Sequence, residues 1–124
     1  MGDYALAERS VMRAQEMILQ VPQAEPRELG YVLQELGRLR FFQKRFAEAA
    51  ETQSRSLEIL SRHLSADHPI ILRTKANYAK VLRKLKRKRD AKRVEQEIRT
   101  ALQQTVQDPD AKYRISASDL KRSR

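Results

Sequence analysis

One stretch of the chain carries polar and charged side chains at the spacing of a single helical face. The four residues step by 4, 3 and 4 positions, and they are Arg73, Asn77, Lys80 and Lys84. Side chains with this spacing lie above one another on a helix. Because cations that share a face repel one another, the face could bind a carboxylate-rich peptide or a chain terminus through charge-assisted hydrogen bonds. The alternative is an ordinary lysine-rich face in contact with solvent.

The formal net charge of +10 is concentrated in one short part of the chain. Residues 80–99 hold ten Lys or Arg against three Asp or Glu, whereas residues 1–79 have a net charge of only +1. The densest run, residues 84–89, could act as a nuclear-import signal or bind phosphate. A nucleic-acid-binding module that uses residues 80–99 is therefore the alternative function. Since the run has no neighbouring aromatic residue for base stacking, we favour a basic turn between two helices.

Residue types needed for catalysis or metal binding are scarce. Cysteine is absent, and the only histidines, His63 and His68, are five residues apart with Asp67 beside them. This set is a poor match to a zinc or transition-metal site. No glycine-rich loop is present to hold phosphates. We therefore predict that the chain is not an enzyme and has no catalytic residue, metal or cofactor.

The sequence also bears on location. A chain without cysteine fits a reducing compartment. No apolar stretch approaches the roughly 20 residues that a bilayer-spanning helix needs. The first residues lack the basic segment and apolar run of a secretory signal. We predict a cytoplasmic protein without a membrane partner.

An internal repeat is the strongest signal in the chain. The segment 4–8 returns as 46–50, and alanines recur at intervals of 42 residues, at Ala7, Ala49 and Ala91. A second register has the same interval and comprises Leu36/Tyr78, Gly37/Ala79 and Leu39/Val81. Small residues recur where two helices must approach closely, and a fixed period of this length indicates stacked helical repeats.

Apolar residues follow helical spacing along the whole repeat region. The pattern predicts an all-α chain with helices at 3–20, 27–43, 46–64, 69–86 and 89–105. Asp67 is a candidate N-cap, and Pro69 suits the first turn of the following helix because its missing donor would have been unpaired there. His68 is expected to cap or pack in the same linker.

Three segments resemble tetratricopeptide repeats, namely residues 2–9, residues 46–60 and the linker Leu-Ser-Ala-Asp-His-Pro at 64–69. The 42-residue period and the Asp-His-Pro linker are similar to the kinesin-light-chain-like branch of that family. The resemblance covers residues 2–102. Departures occur at Lys44 and Lys86, where the family usually has glycine, at Lys88 in place of an aromatic residue, and at Gln53 in place of a bulky one.

The resemblance implies antiparallel helix-turn-helix repeats stacked as an α-solenoid of about two and a half repeats. We assign residues 1–105 to this domain and expect residues 106–124 to form a basic, partly disordered tail. Residues 2–4 correspond to the turn inside a repeat, so the first helix of that repeat is missing. We expect either a piece of a longer array or an open N-terminal helix face that another chain or a second copy covers.

In this family the first helix of each repeat lines a concave groove. The corresponding residues of the middle repeat are Tyr31, Gln34, Glu35, Arg38, Phe41 and Phe42. Those of the last repeat are Arg73, Ala76, Asn77, Lys80, Arg83 and Lys84. The resemblance implies that Asn77 can hydrogen-bond the backbone of a bound peptide, and a solvated helix-surface residue is the alternative. One of Phe41 and Phe42 is expected in the core and the other in the groove, unless both pack against neighbouring helices.

These features together predict a non-enzymatic scaffold or adaptor. Its concave groove would bind a protein or peptide segment, and the cationic face would favour an acidic partner.

Overall fold

In the computed structural model of the chain, the described residues are 4–20 and 26–107, and they form five α-helices. The helices are α1 (Tyr4–Gln20), α2 (Pro26–Phe42), α3 (Phe46–Leu60), α4 (Pro69–Lys84) and α5 (Lys88–Gln107). No strand occurs within these ranges, so the predicted all-α class is confirmed. None of the five helices combines the length and the apolarity needed to cross a membrane. A tail was predicted from residue 106 onward. The part of it that follows α5, residues 108–124, lies outside the described residues.

Consecutive helices pack against one another along the chain, and α2 and α4 also touch. Because α3 packs on both α2 and α4, it lies in a second layer behind them. This is the stacked helix-turn-helix arrangement that the 42-residue period predicted. The α-solenoid of about two and a half repeats is therefore confirmed.

The recurring alanines lie where helices approach closely. Ala49 and Ala91 are fully buried in two separate core clusters, while Ala7 is half-buried. Ala49 lies in one cluster with Ala50 and Val81, and Phe46 packs against that cluster. In the other cluster, Ala91 is surrounded by residues of α4 and α5, which are Ala79, Leu82 and Val94. Small side chains thus recur at the helix contacts, as the repeat indicated.

The C-terminal ends of α2 and α4, which are 42 residues apart in the chain, have the same geometry. Lys44 and Lys86 have positive φ values of 63° and 65°. After α2, the N–H of Lys44 donates to the carbonyl of Phe41, and the N–H of Arg45 donates to the carbonyl of Arg40. The same pair of bonds follows α4. This is the Schellman ending, which requires a left-handed residue and therefore favours glycine.

Replacing Lys44 or Lys86 with glycine should stabilise the chain. Left-handed backbone costs a residue with a Cβ about 1 kcal/mol, and glycine avoids that cost. We expect each variant to raise the free energy of unfolding, measured by urea denaturation, by up to about 1 kcal/mol. The control is Lys92→Gly inside α5, which should lower it by about 1 kcal/mol. A loss at all three positions would contradict the left-handed assignment.

The linker between α3 and α4 uses a different cap from the predicted one. α3 ends at Leu60 rather than at 64, and the N–H of Ile70 donates to Nδ1 of His68 at 3.1 Å. His68 therefore caps α4, and the prediction of Asp67 as the N-cap is wrong. The Asp67 carboxylate instead accepts hydrogen bonds from the hydroxyls of Ser65 at 2.7 Å and Thr105 at 2.9 Å. These bonds lower the pKa of Asp67 and tie the linker to α5.

Candidate partner-binding groove

A cavity of about 550 Å³ is bounded by α2, α3 and α4. On α2 its lining residues are Gln34, Glu35, Arg38, Phe41 and Phe42, on α4 they are Arg73, Asn77 and Lys80, and on α3 the single lining residue is Gln53. Residues three, four and seven apart share a helical face, so α2 and α4 each present one face to this space. We call this cavity and its lining residues the groove. The groove contains eight of the twelve residues that the family resemblance placed there.

Exposure within the groove falls from its rim to its floor. Arg73 and Lys80 are exposed, and Asn77 is half-buried between them. Gln34 is only 7% exposed and Gln53 only 1%. The groove therefore has a rim of net positive charge, in which Glu35 pairs with Arg38 at 2.9 Å, above a floor of neutral side-chain amides.

The two adjacent phenylalanines differ in exposure. Phe41 is half-buried against the cluster of Ala49, Ala50 and Val81, whereas Phe42 is 48% exposed. Their ring centroids are 5.8 Å apart in an edge-to-face arrangement. The Arg38 guanidinium carbon lies 5.7 Å from the centroid of the Phe42 ring, which suits a cation–π contact. Phe41 thus contributes to the core, and Phe42 provides an apolar surface at the rim.

The cations of α4 fall into two groups. Lys75 pairs with Glu97 at 3.2 Å, and Arg83 binds both carboxylate oxygens of Glu95 at 2.7 and 2.9 Å. The hydrogen bonds from Arg83 are the main cause of the lowered pKa of Glu95. Among the described residues, the other α4 cations make no ion pair, and they are Arg73, Lys80 and Lys84.

Four of the twelve residues that were expected in the groove lie outside its lining, and they are Tyr31, Ala76, Arg83 and Lys84. Arg83 is held by Glu95 because α5 packs along that side of α4. Lys84 is exposed one turn beyond Lys80, and Tyr31 is half-buried one turn before Gln34. A position on the first helix of a repeat is therefore not enough to place a residue in the groove, because each such helix also faces its neighbours.

The family model of the tetratricopeptide repeat matches residues 28–104. The chain belongs to the tetratricopeptide repeat family. Neither a curated protein nor a solved structure gives a significant match to the chain. Tetratricopeptide repeats generally mediate interactions between proteins, and the groove occupies the space between the first helices of two successive repeats. The narrower kinesin-light-chain-like subtype stays a prediction.

Gln53 was not among the predicted binding residues of this tetratricopeptide repeat domain. It lies on the buried face of α3, and its Oε1 atom has no hydrogen-bond partner among the described residues. A Cβ atom added to Gly37 would lie 2.5 Å from Cγ of Gln53, so the glycine on α2 makes room for this side chain. The departure from the bulky residue typical of the repeat was visible in the sequence. It was the one signal that could have identified Gln53.

The basic run forms the turn between the last two helices of the repeat domain. Arg87 at this turn pairs with the Asp90 carboxylate at 2.9 Å. The same carboxylate also lies 3.5 Å from Arg93. Lys88 and Arg89 are exposed. No feature in the described ranges favours the nucleic-acid alternative over a solvated basic turn. No group of three potential metal ligands is found in the same ranges.

The open face predicted at the N-terminal end corresponds to α1 of the repeat domain. Leu6 and Met17 are 58% and 60% exposed, and they are eleven residues apart, which places them on one helical face. On the opposite side, Glu8 binds α2 through Arg40 at 3.0 Å and through Gln43 at 2.9 Å. Self-association through the exposed face stays a prediction that oligomeric state in solution would test.

Proposed function

We propose that this chain is a non-catalytic adaptor whose groove binds an acidic, extended segment of a partner protein. The observation that supports this proposal most directly is the division of the α4 cations. Lys75 and Arg83 already have carboxylate partners on α5, whereas Arg73 and Lys80 at the groove rim have none in the described part of the chain. Carboxylates of a ligand would supply the missing partners through charge-assisted hydrogen bonds.

The residue between these two cations supports an extended ligand. The Asn77 side chain makes no hydrogen bond to another described residue, and its amide can both donate to and accept from a peptide backbone. Arg73 and Lys80 are seven residues apart, which corresponds to about 10 Å along a helix. An extended peptide covers that distance in about three residues. Acidic residues two or three positions apart would therefore reach both cations, with Asn77 holding the backbone between them.

Reversing the charge of the rim should weaken binding of acidic peptides. We expect the double variant Arg73→Glu/Lys80→Glu to raise the Kd at least about tenfold, because it removes two attractions and adds two repulsions. The probe is the tightest binder selected from a displayed library of Asp- and Glu-rich 12-residue peptides. Its Kd is measured by fluorescence anisotropy at physiological salt, and circular dichroism verifies that each variant is folded.

The matched control is Lys88→Glu/Arg89→Glu, which changes the net charge equally outside the groove. We expect its Kd to change by no more than about threefold, because neither residue lines the groove and salt screens exposed charges. Equal losses of affinity in both double variants would show that the effect arises from net charge alone. That result would contradict binding in the groove. An unchanged Kd in the rim variant would contradict the role of the rim cations. We also propose a cytoplasmic location, which the absence of cysteine supports.

A further inference from the structure

The floor of the groove holds a buried carbonyl oxygen that the fold leaves unpaired. Gln53 is 1% exposed, and its Oε1 atom has no hydrogen-bond partner in the described residues. The side chain of Gln34, 7% exposed, also makes no hydrogen bond within those residues, but Oε1 of Gln53 is the lining atom that is both fully buried and unpartnered. Both side chains line the same cavity. A buried amide without a partner is unfavourable, so such groups are rare and point to a missing partner.

The depth of Gln53 limits which part of a ligand can reach it. Gln53 belongs to α3, which lies in the layer behind α2 and α4. A backbone that follows Asn77 runs along the surface of the first layer, so only a side chain can pass between the two helices. The cavity of about 550 Å³ is many times the volume of about 30 Å³ that one water occupies in the liquid. It therefore has room for a side chain together with the backbone that carries it.

We propose that the groove floor is a subsite for a neutral carboxamide, the side chain of an Asn or Gln in the bound segment. A carboxamide has a donor and an acceptor side by side, so it pairs with the Gln53 amide through two hydrogen bonds. The pairing is available in either orientation of the Gln53 amide, because half a turn exchanges its oxygen and nitrogen and the ligand amide can turn to match.

Other side chains fit the floor less well. A carboxylate offers only acceptors and would leave the Gln53 carbonyl oxygen unpaired. A lysine or arginine offers only donors and would enter beneath the exposed cations Arg73 and Lys80. An apolar side chain would leave both ends of the amide unpaired. The inference rests on the proposed function and adds a second specificity to it, since acidic residues contact the rim and one amide residue reaches the floor.

A selection experiment tests this specificity. The library has fixed acidic residues and one randomised position, and it is screened against the wild-type chain and the variant Gln53→Met. Methionine is unbranched and close to glutamine in length, so it keeps the packing beside Gly37 while removing both hydrogen-bonding groups. We expect Asn and Gln to be enriched with the wild type, and Met and Leu with the variant. No amide enrichment, or the same enrichment with both chains, would overturn the inference.

A second experiment tests binding at the groove floor without any peptide. Propionamide, a minimal carboxamide, is titrated into the isotopically labelled chain, and the side-chain amide signal of Gln53 is identified by its loss in Gln53→Met. We expect propionamide to shift this signal, and propionate to shift signals of the rim instead. An unmoved Gln53 signal, or equal shifts with both compounds, would overturn the amide subsite. If the library yields no binder while propionamide shifts the signal, the proposed function fails and the subsite stands.

Discussion

Replacing Leu82 with alanine should lower the free energy of unfolding by about 3 kcal/mol. Leu82 is fully buried, with 0% exposure, and it packs with Ala79, Ala91 and Val94. These three neighbours are small, and Tyr78 also packs against the cluster. Because all of them are held in packed helices, they can fill only part of the space that a shortened side chain leaves. This loss of stability has two causes. The removed methyl groups no longer contribute the free energy of transfer from water to the core, and the cavity that they leave is unfavourable. Urea denaturation followed by far-ultraviolet circular dichroism measures the loss.

The control is Leu102→Ala on α5, where the side chain is 48% exposed. The chemical change is the same, but about half of this side chain is already in contact with water. We therefore expect the free energy of unfolding to change by no more than about 0.5 kcal/mol. Equal losses at Leu82 and Leu102 would contradict the described packing of α5 on α4.

Replacing Gly30 with alanine should destabilise the chain, contrary to the usual effect of this substitution in a helix. A Cβ atom at Gly30 would lie 2.7 Å from Cδ2 and 2.8 Å from Cγ of Leu60, which is fully buried. Overpacking of this kind costs about 1–3 kcal/mol. Alanine would otherwise gain about 1 kcal/mol over glycine inside a helix. We expect a net loss of up to about 2 kcal/mol in the same denaturation measurement, since the clash outweighs the helix propensity.

A double-mutant cycle separates the clash from other effects of the Gly30 substitution. Leu60→Ala removes the atoms that the new Cβ would meet, so Gly30→Ala should be less costly in that background. The stability losses of the two single variants should therefore sum to more than the stability loss of the double variant. Additive losses, or a stabilised single variant, would show that α2 and α3 are not in close contact at Gly30.

The helices could be predicted from sequence because their causes are local or periodic. The 42-residue period and the helical spacing of apolar residues fixed the number and approximate bounds of all five helices. The cap of α4 was harder, because Asp67 and His68 are neighbours and both can accept a backbone N–H. Thr105, which is 38 residues away, provides Asp67 with a different hydrogen bond. No pattern in the linker itself contains that information.

The groove could be predicted only in part, for a related reason. Helical spacing and family resemblance identified one face of α2 and one of α4, and most of the proposed residues lie around a common cavity. Arg83 shares that helix, but Glu95 on α5 determines where its side chain goes. The carbonyl oxygen of Gln53 is buried without a partner only when three helices are assembled around it. Both features depend on neighbours that a single helical pattern does not describe.

The identical hydrogen bonding after α2 and after α4 has a consequence for building longer versions of the protein. The chain leaves Lys44 and Lys86 in the same left-handed conformation and enters the next helix in the same way. Residues 46–87 therefore form a unit whose two ends are interchangeable. Duplicating this unit after Arg87 would add one repeat to the array, because both new junctions would reproduce connections that the chain already makes.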